Sequence, residues 1–260
     1  MKIIFKERTH QYFNEENKQY ISVSALIKRL EPKKDWDEIK RKYAKKNGMT
    51  VPEVTAKWER ARILGSGAGT IYHADREREL LEAESIEYDG VNCAKQFCLM
   101  EQGNKVSIPI EKLNDNTIYP ELIIYDHKYR ICGQSDKVIV ANKRIHILDY
   151  KTDKSIETKA FSSDWVKPEH LLEPVSHLEN CNFNIYSLKM STYMFMLWKQ
   201  NKGYKVGDLI LEHVPLIRDE EGIPILKDGK PLTEKTRIIK VPYLKKEVKD
   251  IFEYYAAQNS

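Results

Sequence analysis

The sequence predicts an α/β fold: a mixed central β-sheet flanked by helices, with an N-terminal helical layer. Two observations predict it. Four short β-branched runs, ELIIYD, KYRICG, KVIVA and RIHILDY, succeed one another between residues 121 and 150, separated by turn residues. On either side of them, apolar residues recur at helical spacing instead. Helices, then sheet, then helix and strand again read as one domain over residues 1–260. Within it, residues 1–65 form a hairpin and helical layer, and residues 66–260 a core closed by a hairpin and a helix. A hydrophobic fraction of 41% in 260 residues excludes a disordered chain and fills a core without disulfide staples.

In chain order, residues 2–6 and 19–23 read as short strands around the turn NEENK. From Ser22 the pattern becomes helical, with the serine as N-cap of SVSALIKRL. EVTAKWERARIL, residues 53–64, is another helix. Gly65, Gly67 and Gly69 read as its break, and TIYHADRERELLEAE as its resumption to near Ile86. After the four strands comes an irregular connection, residues 153–182, containing Trp165, Pro168, Pro174 and His177; a loop of that length in a compact domain is usually functional. NIYSLKMSTYMFMLWKQ is apolar almost all round, hence a buried helix. LILEHVPLI is a strand, and DEEGIPILKDGKPL a hairpin turning at Asp228-Gly229. RIIKVP is a strand, and YLKKEVKDIFEYYAA a closing amphipathic helix.

No apolar run is long enough to span a bilayer and no secretory segment follows Met1, so a soluble, cytoplasmic protein without a membrane partner is expected. Cys93, Cys98, Cys132 and Cys181 show no C-x-x-C pair and read as reduced thiols. The net charge of +4 is mildly basic, but it is unevenly spread. Lys28, Arg29, Lys33, Lys34, Lys40, Arg41, Lys42, Lys45 and Lys46 crowd one stretch, interleaved with Trp36 and Tyr43. Such a patch suits phosphates and bases; with Asp35, Asp37 and Glu38 beside it, a solvated helix face fits as well.

The chemistry-bearing stretch runs from Glu121 to Lys151. Asp136 follows Gly133-Gln134-Ser135 in what reads as a strand turn, and Asp149-Tyr150-Lys151 closes RIHILDY thirteen residues later. Strand alternation puts Asp149 and Lys151 on one face. An antiparallel hairpin would bring Asp136 beside Asp149 and leave the Tyr150 carbonyl free as a ligand. Two or three acids and a lysine at one sheet edge are the minimum for a divalent cation on a scissile phosphate, with positive charge to meet the developing negative charge. With charged residues at 32% of the chain, a lone D-x-K is a common surface pattern; order and context give it meaning. The glycines at 65, 67 and 69 lack the lysine of a phosphate loop and read as a break admitting Thr70 and His73 to the site.

The constellation G-x-x-D followed by D-x-K after an apolar strand resembles the PD-(D/E)XK nuclease superfamily, and more narrowly its RecB-like exonuclease branch. That branch includes phage recombination exonucleases and mitochondrial genome maintenance exonuclease. The resemblance covers roughly residues 20–200. Gly69-Thr70-Ile71-Tyr72-His73 matches the branch's glycine-threonine-x-x-histidine element; Pro120-Glu121 its extra acid, for which Asp126 is a substitute; ILDYKT its acid-x-lysine strand; and Tyr193 the tyrosine of its glutamine-x-x-x-tyrosine helix, although a core tyrosine fits as well. Lys189 stands where the branch carries the glutamine, a point charge in place of a neutral amide.

The resemblance implies a restriction-endonuclease-like fold and a metal-dependent DNA exonuclease of recombination, repair or replication. Asp136, Asp149, the Tyr150 carbonyl, Glu121 and His73 would hold Mg²⁺ or Mn²⁺, with Lys151 and Tyr193 completing the catalytic set. Lys189, Thr70, Trp58 and Arg62 would meet the nucleic acid, although a helix with mixed faces explains Trp58 and Arg62 equally. The four-cysteine pattern that holds an iron–sulfur cluster in some members is missing, so none is expected. Partners would be single- or double-stranded DNA ends and a recombination or replication protein, in a bacterial or phage-infected host cell. A catalytically weak DNA-binding module and a structure-specific endonuclease are the alternatives.

Overall fold

The structure, a computed structural model, describes residues 1–162 and 167–258. The chain opens with an antiparallel meander of three strands, β1 (Ile3–Lys6), β2 (Gln11–Asn14) and β3 (Gln19–Ser22). β2 is one strand more than the sequence suggested: a turn at Glu7–Thr9 sends QYFN back to pair with both β1 and β3. The NEENK turn closes on Asn14, whose Oδ1 accepts from the Glu16 and Lys18 amides at 3.1 and 2.8 Å. Ser22 then caps α1 (Val23–Lys28), its Oγ accepting from the Ala25 amide at 3.0 Å, as expected. α2 (Trp36–Asn47) starts on Asp35 and ends on Gly48 in the left-handed region.

α3 (Val51–Glu82) corrects the sequence reading. It runs unbroken for 32 residues through Gly65, Gly67 and Gly69, so the expected break and the division at residue 65 both fall inside one helix. Glycine disfavours a helix interior by only about 1 kcal/mol per residue. A capping box between Thr50 and Glu53 starts this helix, and the buried Ala68 and Tyr72 anchor it. One glycine has a packing reason: a Cβ on Gly69 would lie 3.1 Å from Thr152 Oγ1.

After α3 come four short strands, β4 (Ile86–Tyr88), β5 (Val91–Lys95), β6 (Leu99–Glu101) and β7 (Asn104–Val106). The central meander follows: β8 (Thr117–Asp126), β9 (Ile131–Ala141) and β10 (Arg144–Lys151). β9–β10 is the expected hairpin, turning at Asn142 and Lys143 with φ of 50° and 57°. KYRICG and KVIVA, however, do not form two strands. Gly133–Asp136 lies inside β9, not in a turn, because β8 pairs along it from Thr117–Val140 to Asp126–Ile131. A long-range ladder outweighs the local turn signal of Gly133 and Ser135.

Between β10 and α4 (Asn182–Gln200) the described residues form no helix or extended strand, only an isolated bridge between His170 and Glu179. Trp165 lies outside the described residues. The chain closes with β11 (Lys205–His213), the β12 (Leu226–Lys227) and β13 (Lys230–Pro231) hairpin turning at Asp228-Gly229 as expected, β14 (Arg237–Val241) and α5 (Lys245–Gln258).

The protein is thus α/β with a large mixed sheet. Among the described residues it has twelve strands, ordered β14-β11-β10-β9-β3-β2-β1-β7-β6, with β8 also on β9, β5 on β8 and β4 on β5. The N-terminal strands therefore extend the central sheet. α4 lies on that sheet, burying Leu188, Met190, Met194 and Leu197, with α5 against it through Val248, Ile251 and Phe252. Among the described residues no helix is long and apolar enough to cross a membrane.

One feature of this topology creates a crevice. β8 occupies one edge of β9 throughout, but the other edge changes partner. β3 pairs there in parallel at Ile131 and Cys132, ending at Ser22, and β10 takes over antiparallel from Lys137, whose partner is Leu148. Among the described residues Gly133–Asp136 has no strand partner on that side, and the C-terminal ends of β3 and β10 face each other across the gap. Carboxyl ends of strands at a change of pairing are a recurrent place for ligands in α/β sheets.

Candidate metal centre and active site

Register puts three acids in a row across this fork. Continuing the β8–β9 pairing of Pro120–Lys137 and Leu122–Ser135 sets Glu121 opposite Asp136. Continuing the β9–β10 pairing of Lys137–Leu148 sets Asp149 opposite Asp136 on the other side. Directly opposed residues of antiparallel strands share a face. Glu121 has φ of 48° in mid-strand, a conformation that costs a non-glycine residue about 1–3 kcal/mol and clusters at functional sites.

α3 crosses this row. His73 brings Nδ1 to 3.5 Å from Asp136 Oδ2, and ligand atoms of His73, Glu121 and Asp136 all lie within 4.8 Å of one another. The Tyr150 amide donates to Asp136 Oδ2 at 2.7 Å, and the Gln134 side-chain amide donates to Glu121 Oε2. On the far side, Asp149 lies outside this trio. Its Oδ2 accepts from Lys151 Nζ and its Oδ1 lies 3.4 Å from Lys189 Nζ, while the Tyr150 carbonyl accepts from Lys151 at 3.1 Å. Three of the five expected ligands converge; Asp149 and the Tyr150 carbonyl stand beside them, engaged by lysines.

Burial and the Asp136 charge push the Glu121 carboxyl well above the usual range, and Lys105 and His73 only partly offset this. Burial acts in the same direction on Asp136. There the hydrogen bond and charge of His73, with the Lys151 and Lys189 charges, win and hold it below the ordinary value. Burial and the neighbouring Lys189 charge lower Lys151, against the pull of Asp136 and Asp153. Burial raises Tyr193 to about 12, so its phenol stays protonated.

A cavity of about 620 Å³ opens onto the trio, with Tyr12 and Ser22 on the meander side, Thr70 and His73 from α3, and Lys189 and Tyr193 from α4. Lys189 and Tyr193 are one helical turn apart and so share a face. Tyr193 packs over Gly133: a Cβ there would lie 2.8 Å from Tyr193 Cε1. The motif segments therefore interlock, Gly69 against Thr152, His73 against Asp136 and Gly133 against Tyr193. Thr70 lines the cavity while its hydroxyl donates to the Ser66 carbonyl.

The other expected residues are elsewhere. Asp126, the substitute for Glu121, lies at the end of β8, paired with Lys199 and accepting from the Tyr129 amide. Trp58 packs edge-on against Tyr43 of α2, and Arg62 is paired with Glu59; neither lines the cavity. Among the lining residues that the sequence reading did not single out are Glu77 and Lys105. Glu77 carried a signal, since it follows His73 by one helical turn. Lys105 reaches Glu77 at 3.7 Å from β7, a strand that no motif marks.

The donor set fits a hard or borderline divalent cation: one imidazole and two carboxylates, crowded where burial disfavours uncompensated negative charge. Compared with known proteins, the chain matches no family model and no curated protein.

Proposed function

We propose that the protein is a metal-dependent nuclease that hydrolyses phosphodiester bonds in DNA, built on a restriction-endonuclease-like core of β8, β9, β10, β11 and α4. The observation that carries the reading is the convergence, at one sheet fork, of motif residues as far apart in sequence as His73, Asp136 and Tyr193. The sequence resemblance described above gives the chemistry, and an exonuclease is the expected form.

His73, Glu121 and Asp136 would hold Mg²⁺ or Mn²⁺, with Asp149 and the Tyr150 carbonyl adjacent. When bound, such an ion supplies Lewis-acid charge against a phosphate oxygen and lowers the pKa of a water. Lys151, steered by Asp149 and the Tyr150 carbonyl, orients the attacking water and offsets charge developing on the phosphate. Lys189, on the cavity wall, meets a second phosphate oxygen as a point charge. Tyr193 stays neutral and is a hydrogen-bond donor. The expected product is a 5′-phosphate.

The test is incubation with end-labelled linear and circular DNA, single- and double-stranded, in Mg²⁺, Mn²⁺ or EDTA, beside Lys151→Ala. Metal-dependent loss of linear DNA alone, absent in the variant, is the expected result; cutting of circles as well would make the activity endonucleolytic. A folded protein that binds DNA and cleaves nothing in either metal would replace the nuclease by a binding module.

A further inference from the structure

Away from the cleft, α2 has no role in the site. It is a twelve-residue helix in which only Ala44 is buried. Tyr43 and Ala44 face α3, with Tyr43 edge-on to Trp58 at 5.2 Å between ring centroids. The opposite face presents Arg41, Lys42, Lys45 and Lys46 to solvent. Lys42 pairs with Glu38, whereas no ion pair joins Arg41, Lys45 or Lys46 to any acid among the described residues. Residues 33–49 hold seven basic and three acidic side chains, a net +4 that equals the charge of the whole chain. The rest of the protein is therefore neutral in sum, and the excess positive charge sits on this helix and the residues leading into it.

We infer that α2, with the first turns of α3, is the arm that holds the sugar-phosphate backbone of nucleic acid outside the cleft. The inference rests on the nucleic-acid reading of the site. α3 links arm to cleft as one rod. Trp58 and His73 are fifteen residues apart, about 22 Å along the axis, roughly six base-pair steps of duplex. Charge complementarity selects the occupant: unpaired guanidinium and ammonium groups on a mobile-stemmed face suit a phosphate row. A membrane surface fits less well, because a lipid-bound helix turns a broad apolar face outward. Here Tyr43 and Ala44 turn inward, leaving Trp36 and Ile39 exposed at the margin.

The test measures binding by the full chain in EDTA, so that it needs no metal and no cleavage. Fluorescence anisotropy with a labelled duplex of about 30 base pairs is followed across salt for the wild type and R41Q/K45Q/K46Q. A control, K202Q/K246Q/K249Q, removes the same charge from exposed sites outside the arm. The arm triple is expected to lose about tenfold or more in affinity and to flatten the slope of log K against log salt by about 2–3. The control should stay within about twofold. Equal behaviour of the two triples would overturn the arm, as would binding of the wild type to anionic phosphatidylglycerol vesicles but not to DNA. Single Lys45→Gln, with a slope change of about one, keeps the test open if circular dichroism finds the triple unfolded. Wild-type protein that binds through the arm yet never cleaves would sink the nuclease reading and leave the arm standing.

Discussion

Asp136 has two unlike flanks. Across β8 stands Glu121, whose carboxylate accepts from an uncharged amide, Gln134, and which has no ion pair among the described residues. Across β10 stands Asp149, 2% exposed, with an ammonium on each oxygen. Both acids belong to one row of one sheet, so backbone geometry alone does not separate them. Their helices do. α3 brings an imidazole to one side, and α4 brings Lys189 to the other. The Glu121 flank is short of positive charge and the Asp149 flank is saturated, so an added cation has a reason to settle on the first.

Removing an acid should therefore have opposite consequences on the two flanks. Asp149→Ala leaves Lys151 and Lys189 buried together without their carboxylate, and breaking such a pair typically costs about 3–5 kcal/mol. Urea unfolding of the metal-free variant should show that loss; a variant as stable as the wild type would mean the lysines are not neutralised by Asp149. Gly133→Ala comes next. Its Cβ would meet the Tyr193 ring at 2.8 Å, and overpacking of this kind costs about 1–3 kcal/mol. A drop in cavity-dependent binding and a lower melting temperature should appear together, and Tyr193→Phe should not rescue either, because the ring edge and not only the hydroxyl is in the way.

Glu121→Gln should do the reverse of Asp149→Ala, leaving the metal-free protein as stable or more stable. The sign follows from the raised folded-state pKa. The stabilisation from this group is complete below the unfolded carboxyl value. It is lost as pH rises through the folded one. Metal-free wild type should thus weaken between mildly acidic and neutral pH. Added Mg²⁺ should restore more stability at pH 8 than at pH 5.5, since ligation needs the deprotonated acid. Melting curves at the two pH values check this, and a Mg²⁺ shift that is larger at the acid end would contradict it. The smallest effects lie on α3. Gly67→Ala meets nothing within 4 Å and should stabilise by about 0.5–1 kcal/mol, whereas Gly69→Ala, crowding Thr152, should gain less. Equal gains at both positions would remove the packing reason for Gly69.

Much of the molecule was legible in the sequence where the controlling forces are short-range. The Ser22 cap, the Asp228-Gly229 turn, the β9–β10 hairpin and the shared face of Asp149 and Lys151 depend on residues a few positions apart, and they are present as expected. Glu121, Asp136 and Asp149, named from motif order, stand in one row of the sheet. What tertiary structure alone decided involves partners far apart in the chain. Gly65, Gly67 and Gly69 read locally as a break, but a cap and packing carry α3 through them. Gly133–Asp136 reads locally as a turn, but β8 pairs along it. The choice of Glu121 over Asp126 follows from which side of β8 meets α3 and which acid finds Lys199. The pairing of Asp149 with Lys189 joins residues forty positions apart. Local propensities are worth about 1 kcal/mol or less, and a ladder or a buried ion pair made at long range outweighs them.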